Sequence, residues 1–364
     1  MSKNDPFFIK GADISTLQQI EDFGGRFYHE GREMNCLDIL KEHGFDHVRL
    51  KVWNNPGLPD SDPAGYNDKR HVLEMARRVH AAGLKLMLNF HYSDFWADPG
   101  KQTKPKQWAG LSFHELSAAV YDYTREVITD LRNQGTLPAM AQIGNEITNG
   151  FLWDDGRLDG MSATDAQWAR FVELLRSGLA GLRDGLDRGQ CQSIQSMIHI
   201  DRGGDNKTSR YFLDNLLVRG VDFDIIGQSY YSEWHGPLDG LRDNLHDLAL
   251  AYDQEIILVE TAYPWTTAQN KSDQNKARHY LADYPLSVEG QAAFLRDVIT
   301  IVKDIPRGKG RGLFYWEPGF ITVDGAGWKY GEGNEWANMT LFDFDGRALD
   351  SMDVFALACI SALK

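Results

Sequence analysis

Two rhythms of apolar and polar positions alternate along the chain. Short apolar runs of strand length recur, and each is followed by a longer stretch whose apolar residues return every three or four positions. The strand-like runs are Phe7–Ser15, His47–Trp53, Lys85–His91, Ala139–Glu146, Ser193–Asp201, Asp224–Tyr231, Glu255–Tyr263 and Arg311–Glu317. The helical patterns are Met34–His43, Asn67–Ala82, Ser112–Gln134, Thr164–Asp187, Ser209–Arg219, Leu238–Tyr252, Ser287–Lys303 and Asp350–Leu363. Ser112 with Glu115 reads as a capping box, Ser287 and Gly290 flank a helix start, and Gly44, Gly83 and Gly135 follow helix ends. Strand–helix units repeated in this order imply a closed parallel sheet, a (β/α)8 TIM barrel. No linker, low-complexity tract or charge block marks a second domain, so the expectation is one domain over residues 1–364.

The two kinds of connection differ. Helix-to-strand joints such as Gly44-Phe45-Asp46 are short, whereas strand-to-helix joints are long and rich in Trp, Tyr, Asp and Gly. In a barrel the long loops share the carboxyl face, where active sites lie. The residues that should converge there are Asp13, Arg49, His91, Tyr92, Asp94, Trp96, Asn145, Glu146, His199, Asp201, Tyr230, Tyr231, Glu260, Trp316 and Glu317. Among them stand two glutamates at strand ends, Glu146 after Gln142-Ile143-Gly144-Asn145 and Glu260 after Ile256-Ile257-Leu258-Val259. A single strand-end glutamate suits a structural carboxylate bonded to loop amides. Two on facing walls, each in an aromatic-rich loop, suit glycoside hydrolysis: one protonates the leaving oxygen while the other attacks or assists at the anomeric carbon. A carboxyl separation of about 5–5.5 Å would make such an enzyme retaining. Arg49 could hold a neighbouring carboxylate ionised, and Asn145 could bond a sugar hydroxyl.

Charge and composition narrow the classes. A net charge of −14 argues against nucleic acid and anionic membrane surfaces and is compatible with a neutral substrate. Ten Trp and 14 Tyr supply candidates for sugar-stacking surfaces. Cys36, Cys191 and Cys359 are too widely spaced for a metal motif or a disulfide framework. No cofactor loop is present: His114-Glu115 meets Ala118 where a zincin needs its second His, Gly227-Gln228-Ser229 lacks the closing Gly of a nucleophile elbow, and no phosphate loop occurs. No cofactor, no catalytic metal and no obligate protein partner are expected. Met1–Pro6 lacks the basic and apolar blocks of a signal peptide. The expectation is a cytoplasmic protein as the chain stands, or a secreted one had a leader been removed.

Several segments together resemble one family. They are Gly11-Ala12-Asp13-Ile14-Ser15, Val48-Arg49-Leu50-Lys51-Val52-Trp53, His91-Tyr92-Ser93-Asp94 with Trp96-Ala97-Asp98-Pro99-Gly100, Gln142–Glu146, Ser229-Tyr230-Tyr231, Val259-Glu260-Thr261-Ala262-Tyr263 and Tyr315-Trp316-Glu317-Pro318. In order and from first strand to last, they resemble the endo-β-1,4-galactanases, glycoside hydrolase family 53 of clan A. The resemblance implies a (β/α)8 barrel and retaining hydrolysis of β-1,4-galactan, with galactan or galacto-oligosaccharide as the partner. It implies Glu146 as acid/base, Glu260 as nucleophile and Asn145 on the sugar 2-hydroxyl, with Arg49, His91 and Tyr231 in support. Two departures stand out. Lys51 replaces a usual second Arg, which leaves that cation's contact open. Thr266–Asp273 also lacks the Asp/His/Asn cluster that holds calcium in some bacterial members, so no structural calcium is expected. The alternatives are another clan A activity (β-mannanase, xylanase or β-galactosidase) and a catalytically silent galactan-binding protein.

Overall fold

The computed structural model describes residues 8–57, 65–186, 194–268, 281–328 and 333–357. Eight parallel strands close into a barrel: β1 (Ile9–Asp13), β2 (His47–Val52), β3 (Lys85–Phe90), β4 (Met140–Ile143), β5 (Gln195–Ile200), β6 (Ile225–Ser229), β7 (Glu255–Thr261) and β8 (Gly310–Trp316). They pair in chain order, and β8 returns to pair with β1. The helices that cover the barrel are α1 (Cys36–Glu42), α2 (Lys69–Ala81), α3 (Phe113–Asn133), α4 (Asp165–Asp184), α5 (Asn206–Val218), α6 (Leu238–Ala251), α7 (Val288–Lys303) and α8 (Asp353–Leu357), and short helices Leu17–Asp22 and Ser232–His235 lie in the loops after β1 and β6. This is the (β/α)8 barrel that the alternating pattern predicts.

The helix starts follow the expected chemistry. The Glu115 carboxylate accepts from the Ser112 N–H at 2.8 Å, and the Ser112 hydroxyl accepts the Glu115 N–H at 3.4 Å, so α3 has its capping box. Ser287 accepts from Gly290 N–H at 3.1 Å at the start of α7. A second capping box, Thr164 with Gln167, opens α4 and was not anticipated. Helix α1 starts at Cys36 rather than Met34, because Phe27–His29 and Arg32–Met34 pair as an antiparallel hairpin. Its two turn residues, Glu30 and Gly31, both have positive φ (49° and 75°), as a twisted two-residue hairpin loop requires. Of the expected last helix, Asp353–Leu357 is helical and residues 358–364 lie outside the described residues, as do Ser193, Cys191 and Cys359.

What positions the site is the two-residue rhythm of the strands. Ile9, Met87, Met140, Met197, Ile225, Ile257, Val259 and Phe314 point into the barrel and form an apolar floor. Burying each such side chain contributes about 1.5–3 kcal/mol. The Phe314 ring lies against the backbone of Gly11, where an added Cβ would fall 2.1 Å from it. Two residues further along three adjacent strands the inward position becomes polar: Asn89 after Met87, Gln142 after Met140, His199 after Met197. Strand β7 departs from this rhythm. Gln228 pairs with Leu258 but Ser229 with Glu260, and Leu258 pairs with Leu313 but Thr261 with Tyr315, so β7 carries one extra residue against both neighbours. Val259 fills the floor, and the bulge turns the next side chain, Glu260, into the barrel mouth as well.

Candidate active site

Arg49 organises the layer above the floor. It is fully buried on β2, and its guanidinium donates to Asp13 Oδ2 at 2.8 Å, Glu260 Oε1 at 2.7 Å, Gln142 Oε1 at 3.1 Å and Asn145 Oδ1 at 2.9 Å. One cation thus ties β1, β4 and β7 together at the barrel mouth. The other oxygen of Glu260 accepts from the Tyr231 hydroxyl at 3.0 Å. Burial raises the Glu260 pKa from the usual carboxylate range, while Arg49 and the two hydrogen bonds pull it back.

Glu146 lies one turn past the end of β4. Gly144 and Glu146 both take positive φ (84° and 49°), which reverses the chain and points the Glu146 side chain into the mouth. It is half-buried, and one carboxylate oxygen accepts from the Ser229 hydroxyl at 2.6 Å. Burial first, then the charges of Glu260 and Asp201, push its pKa well above the usual range. No cation bonds it among the described residues.

Single oxygens of Glu146 and Glu260, with one ring nitrogen of His199, lie within 4.8 Å of one another. Such a triplet could also cradle a metal ion. Here, though, Arg49 already holds Glu260, and both His199 nitrogens face protein partners. The donor set fits a carboxyl pair. Both glutamates line a cavity of about 660 Å³ together with Asp13, Arg49, His91, Asn145 and Tyr231. Its apolar wall is Trp96, Trp316, Trp328 and Trp336, with Trp316 and Trp328 stacked at 5.9 Å. A larger groove of about 750 Å³ runs along α3 and α4 on the outside of the barrel, but no carboxyl pair meets there.

His91 accepts at Nδ1 from the Trp53 indole N–H at 3.2 Å and the Ala97 N–H at 3.1 Å. The network therefore assigns its proton to Nε2, and burial beside Lys51 and Arg49 keeps the ring neutral. Lys51, the departure noted above, donates to Glu317 at 3.0 Å and sits 3.8 Å from the Trp96 ring centre. Burial lifts Glu317 to about 7 against the pull of that lysine.

Five of the fifteen residues expected to converge do not line the cavity: His199 and Glu317 stand behind residues of the site, the Tyr230 hydroxyl donates to the Gly236 carbonyl at 2.6 Å, and Tyr92 and Asp94 are placed elsewhere. Tyr92 follows His91, so by strand parity it faces outward; its hydroxyl lies 2.7 Å from Thr124 Oγ1 on α3, among Phe90, Tyr123 and Phe151. Asp94 accepts from the backbone N–H groups of Asn55 at 2.9 Å and Lys106 at 2.8 Å, bracing two loops. Asn89, Gln142, Ser229, Trp328 and Trp336 were not singled out, although parity with His91 and Asn145-Glu146 points to the first two. Of the stretch expected to lack calcium ligands, residues 269–273 lie outside the described residues.

The geometry is that of a sugar-cleaving barrel, and comparison with known proteins agrees. The model of glycosyl hydrolase family 53 matches residues 9–355. The chain belongs to that family. This family 53 chain is 33% identical to an endo-beta-1,4-galactanase of Bacillus subtilis, over 96% of its own length and 86% of that protein. It is 46% identical, over 94% and 92%, to a Niallia circulans protein described only as uncharacterized. Among solved structures, the Ignisphaera aggregans GH53 catalytic domain superposes with a TM-score of 0.88 at 40% identity, covering 96% of each chain. The family 53 member described here is accordingly a glycoside hydrolase.

Proposed function

We propose that this chain cleaves β-1,4-galactosidic linkages within galactan and type I arabinogalactan with retention of anomeric configuration, the whole chain acting as one catalytic barrel. The observation that carries the reading is the pair of glutamates, no more than 4.8 Å apart at their nearest oxygens, in unlike surroundings within one aromatic-walled cavity. Retaining enzymes keep their carboxyl groups about 5–5.5 Å apart, whereas inverting ones need about 6.5–9.5 Å to admit a water. The names of the Bacillus subtilis relative and of an arabinogalactan endo-beta-1,4-galactanase of Cellvibrio japonicus support galactan as the polymer.

In this reading Glu260, held by Arg49, attacks the anomeric carbon, and Glu146 gives its proton to the departing glycosidic oxygen. The carbon–oxygen bond breaks and a glycosyl ester of Glu260 forms. Ionised Glu146 then takes a proton from water, whose oxygen displaces Glu260 and restores the starting state. Asn145, already anchored to Arg49 and the Ala97 carbonyl (2.8 Å), is suited to bond the sugar 2-hydroxyl. Trp316, in the cavity wall beside Trp328, is suited to pack against a sugar ring.

The test is a product profile on linear galactan beside mannan and xylan, with the anomer of the first product followed by NMR. β-Configured galacto-oligosaccharides from galactan alone support the reading. Preferred cleavage of mannan or xylan would move the chain to another clan A activity, and binding without reducing-end release would make it a silent carbohydrate binder.

A further inference from the structure

The proposed acid, Glu146, is gripped by a neutral pair that never reaches the cavity. Ser229 and His199 are both fully buried, and neither lines the cavity. The Ser229 hydroxyl lies 2.6 Å from Glu146 Oε1 and 2.8 Å from His199 Nε2. The other ring nitrogen, His199 Nδ1, lies 3.4 Å from the Glu146 backbone N–H and 3.0 Å from the Gln142 amide nitrogen. Asn145 Oδ1 is also near Nδ1, at 3.2 Å, but it already accepts from Arg49 and Asn89. A backbone N–H is always a donor and cannot rotate away. The network therefore assigns a lone pair to Nδ1 and the proton to Nε2. That proton goes to Ser229 Oγ, so the serine's own proton goes to Glu146 Oε1. One imidazole holds the same residue at its backbone and, through a serine, at its side chain.

We propose that His199 and Ser229 are positioning residues that fix which oxygen of Glu146 carries the catalytic proton. Because Oε1 accepts from Ser229, the proton resides on Oε2. The carboxyl group then has one rotation rather than two, and its donating oxygen is presented to the cavity without a search. The inference rests on the reading of Glu146 as the acid.

The device works only if His199 stays neutral, since a cationic ring would turn a donor toward the Glu146 N–H. Burial, Arg49 and His91 hold its pKa well below the usual range. The other groups bearing on Glu146 are Glu260 from β7, Asp201 at the end of β5 with its partner Arg202, and Asp98 from the loop after β3. Tyr231 and His235, after β6, share the cavity. All of these remain when Ser229 is changed. A hydroxyl that donates to the ionised form favours it, so removing the hydroxyl raises the Glu146 pKa and carries the basic limb of the activity profile to higher pH.

The experiment compares Ser229→Ala, His199→Gln and Glu146→Gln with the unaltered enzyme, on linear galactan and on dinitrophenyl β-galactobioside, across pH. Ser229→Ala should lower kcat on galactan by about tenfold, leave KM unchanged, and hold kcat on the activated substrate within about twofold. Its basic limb should move up. His199→Gln, whose amide can still donate to Ser229, should keep most of the galactan activity. Should Ser229→Ala fold poorly, Ser229→Cys keeps the volume, weakens the donor and carries the same readouts. Equal losses on the two substrates, or an unmoved basic limb in a folded variant, would overturn the proposal. If Glu146→Gln discriminates between the substrates and Ser229→Ala does not, only the positioning role fails. If Glu146→Gln does not discriminate either, Glu146 is not the acid and both readings fall together.

Discussion

The two glutamates occupy opposite kinds of protein. Glu260 is 5% exposed on a bulged strand, and its partners are a buried guanidinium and a phenol. Glu146 is half-buried on a left-handed residue beyond its strand, and the side chains around it that donate or relay protons are neutral. Burial alone raises the proton affinity of both. Arg49 opposes that rise at one of them only. A carboxyl pair a few ångströms apart cannot both ionise cheaply, and the single cation decides which one does. Two side chains of one type thereby receive two tasks from their surroundings. Substitution at either carboxylate, or at the cation between them, tests this division of tasks.

The largest effect is expected at the charged member. Glu260→Ala should reduce galactan turnover by about four to six orders of magnitude. Azide, standing in the vacated space, should restore it and yield an α-galactosyl azide, the inverted product. Recovery of a β-product, or no recovery on a substrate with a good leaving group, would remove Glu260 from the nucleophile's place.

Next comes the cation. Arg49→Ala leaves Asp13 and Glu260 buried without compensation, and breaking a buried pair in this way costs about 3–5 kcal/mol. Denaturant midpoints measure that loss. In the folded fraction Glu260 should hold its proton to higher pH, so the acidic limb of the rate profile should shift upward. Arg49→Lys keeps a charge but not the fork that reaches four acceptors, and should fall between. An acidic limb unchanged in both variants would show that Arg49 does not set the ionisation of Glu260.

At the neutral member the effect depends on the substrate. Glu146→Gln should cost about 10²–10⁴ on galactan, whose leaving group needs a proton, and far less on an activated aryl glycoside. The basic limb should vanish with it. A limb that persists belongs to another group.

Much of this was legible in the sequence, for a physical reason. Strand length, helix period and the contrast between short and long joints are local properties, and they specify a barrel and the face that carries its chemistry. Asn145-Glu146 and Glu260 could be found because strand ends on that face converge. Parity could also have been read: Asn89 and His91 share a side with Met87, which turns Tyr92 outward to Thr124. It fails at Glu260, where alternation from Ile257 and Val259 would put the side chain among the helices. Only the extra residue in β7 reverses this, and a bulge is a relation between strands that a single segment does not display. The Ser229–His199 pair was hidden for the same reason. Neither residue is unusual in its own strand, and their meaning lies in distances across β4, β5 and β6.

The smallest expected effect concerns stability, and it separates the two carboxylates by size. The folded-state pKa of Glu146 lies well above the usual 4.5. Below about 4.5 the group is protonated in folded and unfolded chains alike and contributes nothing to the difference. As pH rises the unfolded chain ionises first, and folding must take up a proton, so stability attributable to this group is lost until pH passes the folded value. Each unit of difference is worth about 1.4 kcal/mol. Glutamine cannot ionise, yet its carbonyl can still accept from Ser229. Glu146→Gln should therefore be more stable than the unaltered enzyme at pH 7, with a melting temperature higher by about 2 °C per kcal/mol, and the gain should disappear near pH 4. Glu260→Gln should gain much less at pH 7, because the Glu260 pKa is raised too but Arg49 pulls it back, and the substitution takes a buried counter-charge from Arg49. Melting curves of both variants from pH 4 to 8 measure this. Equal gains in the two variants, or a Glu146→Gln gain that does not depend on pH, would mean that Arg49 does not divide the pair.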